Sequence, residues 1–151
     1  MRIVGDQSRT IDLDEFLSRP LFAHLSTASP SGPRESPVWF LWENGCVWIL
    51  GNQRENSFQH RIEQDPRCAL GVVDFDRAHG TVQHVGFRGQ ASIERYDVDT
   101  ARRLLTKYLG PEEYWDEQRF DAQEGPEAFF VRFVPETVVI RDQSYSPAAG
   151  S

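Results

Sequence analysis

The chain has 151 residues, a length that fits one domain around a single core. Apolar residues make up 39% and charged residues 26%, which excludes a disordered composition. The net charge of −7 argues against a nucleic-acid partner, and no run reaches the roughly 20 apolar residues that span a bilayer.

The opening MRIVGDQSRTIDLDEF carries acids where a secretory signal has its apolar centre, so a cytoplasmic location is expected. The first helix follows: Asp12 and Glu15 form a D-x-x-E capping box, Leu13, Phe16 and Leu17 give an apolar face, and Pro20 stops it. LFAHLSTAS reads as a strand and SPSGPRESP as a turn. PVWFLW, Pro37 to Trp42, reads as a second strand, aromatic and β-branched. Asn44-Gly45 tolerates positive φ and reverses the chain into CVWIL as a tight hairpin.

Beyond that hairpin Asn52 and Glu55 are candidate caps for a helix carrying Phe58 and Ile62, and Asp65-Pro66 ends it. CALGVV is a strand, DFDRAHG a loop, and TVQHVGFRGQASIER a long strand with Val85, Phe87, Ala91 and Ile93 on one face. Glycines 86 and 89 mark a bend, a bulge or a close approach to the backbone. Asp97 and Thr100 open a further helix through Leu104, Leu105 and Tyr108, closed by Gly110-Pro111. PEEYWDEQRF can start another. FFVRFV and TVVIR close the chain as strands. Six or seven strands with hairpin-length connections, lacking βαβ alternation, predict an antiparallel β-barrel with peripheral helices. Residues 1–143 form a single domain on this reading, with 144–151 a fraying tail.

Chemistry is sparse. Cys46 and Cys68 share no C-x-x-C spacing and read as buried thiols, and no His or Cys pair suits a metal. Neither a nucleophile elbow nor a Gly-rich dinucleotide fingerprint occurs. GNQRENSFQHRIEQDP sets a strand end against a helix start, where free N–H groups favour a phosphate, with Arg54, Asn56 and Ser57 as added donors. On the residues alone a plain helix cap with a solvated arginine is the commoner meaning of the same pattern. His84 lies on the strand face opposite Val85 and Phe87, open to a ligand or to cross-strand packing. Trp39 and Trp48 fall in adjacent strands, where pairing explains them as packing.

The ordered segments SGPRESPVWF, DPRCAL and FRGQA resemble the flavin mononucleotide-binding split barrel of the pyridoxamine 5'-phosphate oxidase-like family, from about Leu13 to Arg141. That resemblance implies a split barrel acting as a homodimer with a flavin, FMN, in clefts shared between subunits. It implies a flavin-dependent oxidoreductase acting on a small molecule. A deazaflavin reductase, or a non-catalytic flavin, haem or stress-related binding protein of the same fold, is the alternative. By position Pro37, Val38 and Trp39 would flank the ring, and Gly51, Asn52, Arg54, Asn56 and Ser57 would hold the phosphate. His84 would reach the flavin as the candidate catalytic residue, and Trp115 would approach from the other subunit. Phe58 stands where many relatives carry a phosphate-binding lysine, and Arg54 is the candidate replacement.

Overall fold

Apolar residues at every second position turn one face of each strand inward, and that alternation organises the computed structural model, which describes residues 1–6, 11–115 and 125–148. The elements are β1 (Arg2–Asp6), α1 (Leu13–Ser18), β2 (Ala23–Thr27), β3 (Arg34–Val38), β4 (Leu41–Glu43), β5 (Cys46–Asn52), α2 (Phe58–Gln64), β6 (Arg67–Asp76), β7 (Thr81–Arg95), α3 (Val98–Leu109) and β8 (Ala128–Asp142). Seven strands follow the order β3-β2-β6-β7-β8-β5-β4 and every neighbour is antiparallel. The eighth, β1, lies parallel along the second half of β8. The expected antiparallel barrel is present, with this one parallel pair added.

Its interior is filled by Phe16, Phe58, Phe87, Phe133, Leu25 and Ile49, all almost fully buried. β7 places Val85, Phe87 and Ala91 inside and His84, Gly86 and Arg88 outside. The expected cap of α1 is formed: Asp12 Oδ1 accepts from the Glu15 N–H at 3.1 Å. The Asn44-Gly45 turn has φ values of 52° and 70°, the pair a right-twisted two-residue hairpin needs. Asp97 caps α3, accepting from the Thr100 N–H at 2.9 Å.

Four expectations are corrected. PVWFLW is not one strand, because the chain leaves β3 at Trp39, crosses the open side of the barrel and enters β4 at Leu41. Phe40, at the crossing, gives its N–H to Tyr108 Oη at 3.0 Å, and its C=O accepts from Lys107 Nζ at 2.8 Å. Side chains of α3 thus replace the missing strand partner. Secondly, the helix after β5 starts beyond Ser57, which holds the N-cap position without a side-chain cap bond, and neither Asn52 nor Glu55 caps it. Asn52 is consumed one turn earlier: its C=O accepts from the N–H groups of Glu55 and Asn56, and its Oδ1 from that of Arg54. Thirdly, FFVRFV and TVVIR are one 15-residue strand running through Pro135. The proline is tolerated at a bulge between Arg88 and Gly89, where a Cβ on residue 89 would lie 2.1 Å from the Val134 carbonyl oxygen. Lastly, DFDRAHG is loop only from Arg77, since β6 runs on to Asp76.

A short 3-10 turn, Glu112–Tyr114, follows α3, and residues 116–120 of PEEYWDEQRF lie outside the described residues. The chain after β8 stays attached, with the Tyr145 N–H donating to the Gly80 carbonyl and the Val82 N–H to Ser144 Oγ. Among the described residues no helix is long and apolar enough to cross a membrane.

Candidate functional site

A sheet that stops at β3 on one side and β4 on the other leaves a seam in the barrel wall. β3 has β2 as its only strand neighbour, so alternate N–H and C=O groups along its other edge lack a strand partner. α3 covers the seam from outside. Its apolar stripe, Ala101, Leu104 and Leu105, packs with Leu41 and Phe130 into a second small core that also takes up Trp39, Trp48 and Trp115. Three contacts fasten the helix. Arg103 grips Glu43 with two bonds of 2.7 and 3.0 Å, Tyr108 Oη donates to the Leu21 carbonyl at 2.7 Å, and Lys107 Nζ donates to the carbonyls of Leu17 and Phe40.

Between β3, β5 and α3 lies a pocket of about 270 Å³. Pro37, Val38 and Trp39 form one lip, Leu50 and Phe58 the other, and Leu105 and Trp115 the roof. Trp39 is stacked on Tyr108 with centroids 4.6 Å apart and planes 3° from parallel. Trp115 is held by its indole N–H, which donates to the Gly110 carbonyl at 2.8 Å. Glu55 and Asn56 are the polar side chains at the mouth. Such a site can grip a flat, largely apolar ring system and hydrogen-bond it along the open backbone edge of β3.

Five of the residues expected to hold a ligand therefore meet in one place: Pro37, Val38, Trp39, Asn56 and Trp115. Trp115 reaches the pocket of its own chain. Ser57 stands next to it and accepts from Arg61. The other four lie elsewhere. A Cβ on Gly51 would sit 2.4 Å from the Phe129 ring, so this glycine makes room for core packing. Asn52 is engaged in its turn. Arg54 is 79% exposed and paired with Glu127 at 2.6 Å. His84 faces the opposite side of the sheet. Phe58 is buried against Phe129, with centroids 5.9 Å apart, and carries no charge to the helix start. Reading the residues alone missed Phe22, Leu50, Glu55, Leu104, Leu105 and Leu109. The stripe of α3 was visible in its spacing, but nothing local told where the helix docks.

His84 belongs to a broader concavity of about 1030 Å³ on the outer face of β2, β6, β7 and β8. Its floor is the paired glycines Gly71 and Gly86, over which the imidazole lies. Burial, with the positive charge of Arg141 added, pushes the His84 pKa down and so favours the neutral ring. His24 bonds Glu35 on the same face. Cys68 is buried behind it, its thiol pushed up to about 11 by desolvation. Among the described residues no three His, Cys, Asp or Glu side chains gather at metal-binding range.

A family model described as pyridoxamine 5'-phosphate oxidase matches residues 10–139. The chain belongs to the pyridoxamine 5'-phosphate oxidase family. Solved structures of similar fold include a conserved hypothetical protein of Mycobacterium tuberculosis, 18% identical, covering 100% of this chain and 98% of that one at a TM-score of 0.72. Others are a protein named F420 reductase, 22% identical, covering 83% and 94% at 0.63, and a FAD-binding protein of Mesorhizobium loti, 15% identical, covering 86% and 90% at 0.63. No curated protein matches the chain. At these identities the structures share the fold, and membership of the pyridoxamine 5'-phosphate oxidase family rests on the sequence match.

Proposed function

We propose that this protein binds a flavin-type cofactor in the seam pocket and works as a flavin-dependent oxidoreductase on a small molecule. The observation that carries the reading is the gathering of Pro37, Val38, Trp39, Asn56 and Trp115 around one pocket on an open strand edge. The pyrimidine side of a flavin alternates donors and acceptors, as does a bare strand edge, and the indole walls suit the rest of the ring. A pocket of about 270 Å³ falls just under the roughly 300–1,000 Å³ of small-molecule sites, so it seats a ring and leaves a tail outside. The family, and relatives named as an F420 reductase and a FAD-binding protein, support the same class. When bound, the cofactor supplies the redox chemistry, and the chain supplies position and exclusion of water. FMN is the first candidate and a deazaflavin the alternative.

A second copy of the chain is part of the proposal. The outer face of β6 exposes Val73 (51%) and Phe75 (66%) in line with the floor of the concavity, an apolar row that a two-fold partner would cover. His84 faces away from its own seam. It serves a flavin only if the partner brings its seam against this face. A non-catalytic carrier is the second reading. It is favoured by the pocket lining, where Glu55 is the only ionisable side chain among the described residues.

The test is the visible spectrum and solution mass of the purified protein, before and after adding FMN. A yellow dimer that releases flavin on denaturation is expected. A colourless protein that remains so with FMN, and whose melting temperature no flavin or deazaflavin raises, rejects the reading. Bound flavin that no reductant can reduce within minutes favours the carrier.

A further inference from the structure

The outer concavity that contains His84 is basic, in a chain with 23 acidic residues against 16 basic ones. Among the described residues its lining holds Arg2, Arg67, Arg88 and Arg141 against a single carboxylate, Glu136. Arg67 is spent on Asp65, which it grips with bonds of 3.0 and 2.8 Å. Arg2, Arg88 and Arg141 form no ion pair among the described residues, with Glu136 or with any other acid. Register brings two of them together. Arg88 on β7 faces Thr137 on β8, and Arg2 on β1 faces the same Thr137 from the other side, so the three form a row across three strands. At about 4.8 Å per strand their arginine backbones stand about 10 Å apart, a span across which two guanidiniums can close on one group. The floor beside this row is made of glycine. Gly71 on β6 pairs with Gly86 on β7, the next pair on the same face after Ala69 and Arg88. Neither has a positive φ, and within 4 Å a Cβ on Gly71 would meet only His84 Nε2, at 3.8 Å. A glycine inside a strand gives up packing and costs chain entropy, yet neither the backbone nor the packing of this chain requires one at 71. What it leaves is room for a group from outside.

We infer that this trough is a second binding site, for an organic anion whose carboxylate or phosphate is held by Arg88 and Arg2 over Thr137 and whose body lies on the glycine floor toward His84. Both groups present oxygens in the spacing that guanidinium forks match. Arg88 and His84 are four residues apart on one face of β7, about 13 Å, so the ligand is an extended molecule charged at one end. Between them Ala69, Gly71, Gly86 and Val139 offer neither charge nor side-chain donors, so its body is apolar. As a binding site the trough stands on the geometry of the outer face alone. Its role as the seat of the substrate rests on the flavin reading, in which a partner's seam closes against His84. The substrate class is then an organic acid or a phosphate ester with an apolar body.

Binding of naphthoate, naphthyl phosphate and the neutral naphthalenemethanol is measured by isothermal titration calorimetry for the wild type, Arg88→Gln, Arg2→Gln, Gly71→Val and Arg54→Ala. The wild type should bind at least one anion about 10-fold or more tighter than the alcohol, the worth of one charge-assisted bond. Which anion binds more tightly separates a carboxylate site from a phosphate site. That preference should fall by about five-fold or more in Arg88→Gln and in Arg2→Gln, and persist in Arg54→Ala. Both arginines are exposed, so their replacement should leave the melting temperature unchanged. Gly71→Val fills the floor and should abolish binding of the anions. No preference in the wild type, a preference that survives both arginine replacements, or binding that Gly71→Val leaves intact overturns the inference, and a yellow protein then keeps its flavin reading. If the wild type takes no flavin, loss of the preference in the arginine variants supports the site while the flavin reading falls alone.

Discussion

Lys107 is the residue whose replacement speaks most directly to how α3 is held over the seam. Its ammonium lies 3.5 Å from the centroid of the Phe40 ring and donates to two backbone carbonyls, those of Leu17 at 2.9 Å and Phe40 at 2.8 Å. Lys107→Met keeps the length of the side chain and removes the donor. Phe40 O keeps only a long 3.3 Å approach from Tyr108 Oη, whose single proton is directed at the Leu21 carbonyl, and the Leu17 carbonyl, on a fully buried residue, loses its partner. A buried acceptor left unmet costs about 1–3 kcal/mol, or roughly 2–12 °C in a domain of this size. The loss should also depend on pH. Burial lowers the Lys107 pKa from 10.5 to about 7. Between those values the unfolded chain holds a proton that the folded chain has released, so wild-type stability rises with pH across the window. The ceiling is about 1.4 kcal/mol per pH unit. The two carbonyls, the ring face and partial hydration favour the ammonium, so the cumulative rise is nearer about 1–2 kcal/mol. Urea unfolding of both proteins, followed by tryptophan fluorescence at pH 6, 7.5 and 9, isolates this term because the other titrations cancel in the difference. The gap between wild type and Lys107→Met should widen toward pH 9. A gap that stays constant, or narrows, refutes the argument that this amine sheds its proton on folding.

Gly89→Ala should lower stability by at least about 2 kcal/mol in thermal unfolding, because its Cβ meets the backbone of Val134 and Pro135 at 2.1 and 2.9 Å. Gly86→Ala meets only the His84 ring at 3.2 Å and should cost far less, and equal losses would contradict the bulge account. Cys68, with its thiol pushed up to about 11, should react with a disulfide reagent at pH 8 only as fast as the protein opens. Rapid stoichiometric labelling of the native protein would contradict its burial. Phe75→Asp should convert the proposed dimer to monomer in size-exclusion mass measurement without changing the melting temperature of the monomer, and an unchanged mass removes this face from the interface.

What the amino-acid order disclosed was local. The Asp12 and Asp97 caps and the Asn44-Gly45 hairpin each depend on residues a few positions apart, and each was legible. The pairing of Gly89 with Pro135 was not, because a glycine announces a close approach without naming what approaches, and Pro135 by itself reads as a strand break. The same limit governs the site. A capping pattern and a phosphate pattern look alike around Asn52, and only the fold shows Asn52 closing a turn and Arg54 reaching Glu127. Arg61 and Lys107 carried no signal at all, since a single cation on a helix is ordinarily solvated. Their meaning comes from partners 34 and 90 residues away.

Those distant contacts share one physical origin, the cost of leaving a barrel open. An open sheet has two bare edges, and each invites pairing with another chain. Here the β4 edge is guarded by α3, through the Arg103–Glu43 fork and the second core around Leu104 and Leu105. The break between the edges is covered by Tyr108 and Lys107, which serve the backbone of Phe40. The outer edge of β3 stays bare, with the aromatic pocket beside its Val38 end. The proposed flavin ring would satisfy backbone groups and apolar surface together. Either could be met by water or by packing alone, but their coincidence beside a single strand is what supports the proposed flat ring over a small, fully polar metabolite.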